Sequence, residues 1–75
     1  MLSQKRQEQI TKLENEKLDM HTRAAEAKKL LATFVYRGID DPFAKGRLLE
    51  TIRKSEIRVK EIETQIKELK GGVNL

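Results

Sequence analysis

Arg37-Gly38-Ile39-Asp40-Asp41-Pro42 interrupts the chain almost midway between two long, highly charged, helix-forming runs. Proline fixes φ and lacks a backbone donor, so it suits the first position of a helix and not an interior one. Asp41, just before it, has the acceptor side chain of an N-cap. Glycine tolerates the left-handed backbone that ends many helices, which places Gly38 one residue past the first helix and Ile39 against its last turn, near Phe34 or Val35. The stretch therefore predicts one helix over residues 4–37, a turn over 38–41 and a second helix over 42–70. Gly71-Gly72 stops the second helix and leaves a loose tail over 71–75. At the other end Ser3 is the expected N-cap. Arg6 stands where a capping box has Glu or Gln, so the first turns are expected to fray.

Working outward from the break, a heptad frame runs through both halves. In the first half Ile10, Lys17, Ala24 and Leu31 fall at a, and Leu13, Met20, Ala27 and Phe34 at d. In the second half Ile52, Val59, Ile66 and Val73 fall at a, and Leu48, Ser55, Ile62 and Leu69 at d. Facing residues of an antiparallel pair have numbers with a constant sum. A sum of 79 gives the layers Phe34/Lys45, Leu31/Leu48, Ala27/Ile52, Ala24/Ser55, Met20/Val59, Lys17/Ile62, Leu13/Ile66 and Ile10/Leu69. One continuous frame permits only sums seven apart; what is independent is that one permitted centre falls at the break read from Gly38, Asp41 and Pro42. A single long helix in a parallel coiled coil is the rival, and it would place Gly38, Asp41 and Lys45 on the seam beside an interior proline, at a cost of several kcal/mol. The expected fold is all-α, a two-helix antiparallel coiled-coil hairpin in a single domain over 1–75.

Composition agrees with this reading and excludes others. The chain has 75 residues, 37% charged and 37% hydrophobic, with one proline and three aromatic residues. That profile suits helices and coiled coils, and a chain this short buries a modest core that gains from association. There is no cysteine, which removes disulfides and thiolate chemistry. No apolar run approaches a membrane span and no signal-peptide core follows Met1, so no membrane partner and a cytoplasmic location are expected.

Catalysis has little to work with. His21 is the one histidine, at an e position, with no H-E-x-x-H spacing around it, and reads as a surface residue. Asp40 and Asp41 are two adjacent carboxylates with no further oxygen ligands and make a weak metal site, while capping accounts for Asp41. A non-enzymatic protein without metal or cofactor is expected.

The net charge of +4 is unevenly spread. Residues 28–58 hold Lys28, Lys29, Arg37, Lys45, Arg47, Arg53, Lys54 and Arg58 against Asp40, Asp41, Glu50 and Glu56, and the remainder balances eight basic with eight acidic residues. Folded about its turn, the chain carries its excess on the half nearest the loop, where a positive field attracts acidic surfaces or phosphates, or simply keeps the surface solvated. Tyr36 and Phe43 fall at f positions on either side of the turn. Together with Arg37, Ile39, Lys45 and Arg47 they have the composition of a binding hot spot. The competing placement folds Phe43 back beside Ile39 as a lid on the seam. A second apolar set, Leu18, Leu30, Val35, Leu49 and Ile57, lies off the seam and offers a surface through which two hairpins form a four-helix bundle as a homodimer.

Asp41-Pro42 ahead of a basic helix loosely resembles the coiled-coil fingers that enter the secondary channel of bacterial RNA polymerase, although Ala44 and Lys45 stand where those fingers have a second acid. That resemblance implies a coiled-coil arm of a nucleic-acid-processing machine. In size and layout the hairpin also resembles the plasmid RNA-binding helical-hairpin regulators, which implies nucleic-acid binding by a dimer. The leading expectation is an interaction or regulatory module that binds a protein through its loop end or flank, with nucleic acid as the alternative partner.

Overall fold

The computed structural model describes residues 3–71. Helix α1 spans Gln4–Arg37 and helix α2 spans Pro42–Leu69. They pack along each other as an antiparallel hairpin measuring 54 × 21 × 16 Å, so α1 alone, at about 51 Å for its length, accounts for the long axis. The helices are the architecture.

The turn has the geometry its residues dictate. Gly38 adopts φ 68, the left-handed region. Its N–H donates to the Val35 carbonyl at 3.1 Å and the Ile39 N–H donates to the Phe34 carbonyl at 2.9 Å, the paired bonds of a Schellman ending. Three residues on, the Asp41 carboxylate accepts from the Ala44 N–H at 3.0 Å, and Pro42 opens α2. At the start of α1 the Ser3 hydroxyl accepts from the Arg6 N–H at 3.1 Å. Helix α2 ends at Leu69, one residue short of the expected bound, and the Gly71 N–H donates to the Glu68 carbonyl. The tail over 72–75, including the a-position Val73, lies outside the described residues.

The seam occupies the a and d positions. Ile10, Ala24, Ala27, Ser55, Val59 and Ile62 are buried, and Leu13, Lys17, Met20, Leu31, Phe34, Lys45, Leu48, Ile52, Ile66 and Leu69 are half-buried. Two ion pairs fix the register independently of the apolar layers. Glu16 meets Arg58 across the g positions, and Lys28 meets Glu56 across the e positions. Their residue numbers sum to values equally spaced below and above 79, as the flanks of an antiparallel pair centred between Ile39 and Asp40 require. Ala24 and Ser55, facing each other, make a narrow waist that draws the helices together.

Lys17 is the polar fault in the seam. By register it faces Ile62, which is fully buried, while its ammonium reaches the exposed Glu63 carboxylate at 3.1 Å. The side chain runs its methylenes along the core and delivers its charge to the rim. Replacing it by leucine exchanges a weak surface ion pair for buried apolar area, so Lys17→Leu raises the melting temperature in thermal unfolding followed by circular dichroism. A second variant probes the turn. No atom lies within 4 Å of a Cβ built on Gly38, so Gly38→Ala loses only the left-handed backbone preference. It destabilises the hairpin by about 1–2 kcal/mol, read in denaturant titration.

Candidate functional site

A two-helix rod offers a loop, two outer edges and two broad sides, and the heptad frame says which residues lie on each. Positions e and b form one side, g and c the other, and f lies opposite the seam. The Lys28–Glu56 pair marks the e side and the Glu16–Arg58 pair the g side.

This assignment spreads the six loop-end residues over different surfaces. Tyr36 and Phe43 are 92% and 86% exposed. Both sit at f, on the outer edges of different helices, so they point away from each other and Phe43 is not folded back as a lid. Ile39 is partly exposed beyond the Schellman turn. Lys45 is half-buried at the loop end of the seam, in the layer of Phe34. Arg37 at g and Arg47 at c are exposed and share the g side.

The g side also carries Arg23 at g and Lys54 at c, both exposed. None of Arg23, Arg37, Arg47 and Lys54 makes an ion pair among the described residues; the basic side chains that do are Lys17, Lys28, Arg53 and Arg58. From Arg23 to Arg37 this basic strip is roughly 21 Å long. Leu30, half-exposed, lies within it at g, opposite Ala44. Glu26, exposed at c between Arg23 and Leu30, is the one acid within the helical part of the strip, which thus combines an excess of positive charge with an apolar centre. Arg23, Lys54 and Leu30 were not among the loop-end candidates. The signal that finds them is the heptad letter, since g and c of both helices converge on one side.

The strip is bounded toward the chain ends by the firmest cross-helix contact. Arg58 donates to both oxygens of Glu16, Nε to Oε2 at 2.6 Å and Nη2 to Oε1 at 2.9 Å. The hydrogen bonds from Arg58 hold the Glu16 carboxyl below its ordinary value, against a smaller opposing effect of desolvation. Glu50 is held down in the same way by Arg53, three residues along its own helix. Asp41 is engaged in capping, Asp40 is exposed, and among the described residues no group of three or more His, Asp or Glu side chains is placed to hold a metal ion. No helix is long and apolar enough to cross a membrane among the described residues.

Fold and surface together define an all-α helical hairpin with one basic side. No family model matches the chain, and no curated protein or solved structure matches it.

The Glu16–Arg58 contact generates a pH prediction. With its folded pKa below the unfolded value of about 4.3, Glu16 contributes stability that is present above that pH and is lost as pH falls through the folded value. The melting temperature of the wild type therefore drops on acidification from neutral pH. Glu16→Gln melts lower at neutral pH and shows a shallower drop, and parallel curves for the two proteins would show that the contact contributes nothing.

Proposed function

We propose that the hairpin is a non-enzymatic interaction module that binds an acidic protein surface through the g side of its loop half. The observation that carries this reading is the strip of four basic side chains, Arg23, Arg37, Arg47 and Lys54, exposed and without ion pairs among the described residues, set around Leu30 and Ala44. Excess positive charge raises the encounter rate with an acidic partner, and a central apolar contact slows dissociation. Leu30 is what favours a protein over nucleic acid, because a phosphate backbone recognised by charge alone gains nothing from an aliphatic side chain among the arginines. Of the loop-end residues, Arg37 and Arg47 belong to this surface, while Tyr36 and Phe43 border it on the outer edges.

The test is capture from a nuclease-treated lysate by immobilised full-length chain, repeated over a salt series. Arg37→Glu with Arg47→Glu abolishes capture while leaving helix content unchanged, and Lys5→Glu with Lys67→Glu, at the opposite end, leaves it intact. Capture that vanishes with nuclease and falls steeply with salt would instead assign the strip to nucleic acid. Equal effects of the two variants would reduce the charge asymmetry to a solubility feature.

A further inference from the structure

The g side is open as well as basic. Position d borders g on both helices, so a groove runs between α1 and α2 with Phe34 and Leu48, both half-buried, on its floor, followed by the buried Ala27 and Ser55. Leu30 and Ala44 face each other across it, since their numbers have the same sum as those of Glu16 and Arg58. The two walls are charged unequally. α1 supplies Arg23 and Arg37 with Glu26 between them, whereas α2 supplies Arg47 and Lys54 with no acid at g or c in the loop half. Glu50, on the outer edge of α2 at f, is engaged by Arg53. The groove also has ends. Asp40 stands in the turn, and at the level of the Glu16–Arg58 contact the c positions of both helices become acidic, as Asp19 and Glu61, both exposed.

We propose that the occupant of this groove is a single α-helix of a foreign protein, about four turns long, with an apolar stripe on Phe34, Leu48 and Leu30 and acids on the flank over α2. This deepens the g-side reading and rests on it. The groove decides between a helix and an extended segment. The backbone groups of its walls are bonded within α1 and α2, so an extended segment would lay unpaired N–H and C=O groups on an apolar floor. A helix brings its own backbone bonds complete and adds a third member to the seam. Charge then sets the pattern along it. Arg47 and Lys54 stand one heptad apart, about 10 Å, so the acids over α2 recur at that spacing. Over α1 the acids fall only at the two ends, opposite Arg23 and Arg37, and none lies opposite Glu26. The asymmetry follows from that one carboxylate. A second copy of the chain does not supply such a face: among its other exposed aliphatic residues, Leu18 and Ile57 stand singly, and Val35 and Leu49 lie on the side of Lys28 and Lys45.

The probe is a displayed library of peptides of about 18 residues, patterned for a helix with Leu, Ile or Ala on one stripe and Asp, Glu or Gln beside it. It is selected on the immobilised full chain in competition with a library of the same composition that alternates with period two. Binders come from the helix-patterned library and carry acids seven apart on one flank. They add helical circular dichroism on mixing, beyond the sum of the separate components, and displace the partner captured from lysate. Arg47→Glu with Lys54→Glu, both exposed, keeps the helix content of the hairpin and weakens the selected peptide at least about tenfold, and exchanging the peptide's two flanking acids for lysine restores binding to that variant. Leu30→Asp weakens it as well, while Val35→Glu with Leu49→Glu, on the e side, leaves it unchanged. Binders drawn only from the alternating library, binders indifferent to Arg47→Glu with Lys54→Glu, or a wild type that sediments as a dimer dissociated by that variant would overturn the proposal. A lysate partner lost on Arg37→Glu with Arg47→Glu but displaced by no helical peptide would overturn the helix and leave the acidic-surface reading standing.

Discussion

The structure depends on a single left-handed residue. Gly38 at φ 68 lets the backbone leave α1 through two Schellman hydrogen bonds, and Asp41 caps α2 before the chain has moved more than four residues. A connection this short fixes the centre of the reversal, and in an antiparallel pair the centre fixes the partner of every residue. The frame alone allows registers whose sums differ by seven, each with a and d on the seam. The short turn selects one of them, and with it the meeting of Glu16 with Arg58 and of Lys28 with Glu56. Those ion pairs are partly exposed and screened, so they add specificity of register more than stability.

From the register follows a separation of surfaces. With e and b on one side and g and c on the other, the excess charge of residues 28–58 does not surround the loop half evenly. On the e side Lys28, Lys17 and Arg53 are matched by acids, Lys45 at the loop end of the seam and Lys60 make no ion pair among the described residues, and the aliphatic pair Val35 and Leu49 stands beside them. On the g side Arg58 is matched, and Arg23, Arg37, Arg47 and Lys54 are not. Segregation of this kind lets one small rod present an aliphatic pair on one side and a run of unpaired arginines on the other within the same five turns. Neither would be useful mixed, since scattered lysines would oppose close packing and scattered leucines would dilute the field.

Helix, turn and seam were legible in the sequence because each rests on local chemistry: proline and glycine set the ends, and period 3.5 in aliphatic residues sets the face. The waist at Ala24 and Ser55 was legible for the same reason, as a sum of residue numbers. The loop-end surface was read less well. Treating Tyr36, Arg37, Ile39, Phe43, Lys45 and Arg47 as one cluster uses distance along the chain, whereas two residues near a turn share a surface only if their helical angles agree. Lys45 belongs to the seam, and Tyr36 and Phe43 lie on opposite edges. The lid reading of Phe43 failed on a physical point that the sequence leaves open, because one residue past Pro42 the helix is already regular and the f position is already outermost.

A two-helix seam is never closed. Each a residue is covered by the opposing helix on one flank and open toward the e side on the other, and each d residue is open toward the g side. This is why Leu31, Phe34, Leu48 and Ile52 stop at half-burial, and why, among the described residues, the one large side chain fully removed from solvent is Ile62, below the waist. A layer added on the e side would cover Leu31 and Ile52, and would also meet Lys45, the a residue of α2 nearest the loop, without touching the d residues or the arginines on the g side. At the chain-end half the same layer would meet Lys17, Glu63 and Lys70 and gain little. The loop half is therefore the half whose seam stays most open, and on the e side it is flanked by the exposed Val35, Leu49 and Gly46.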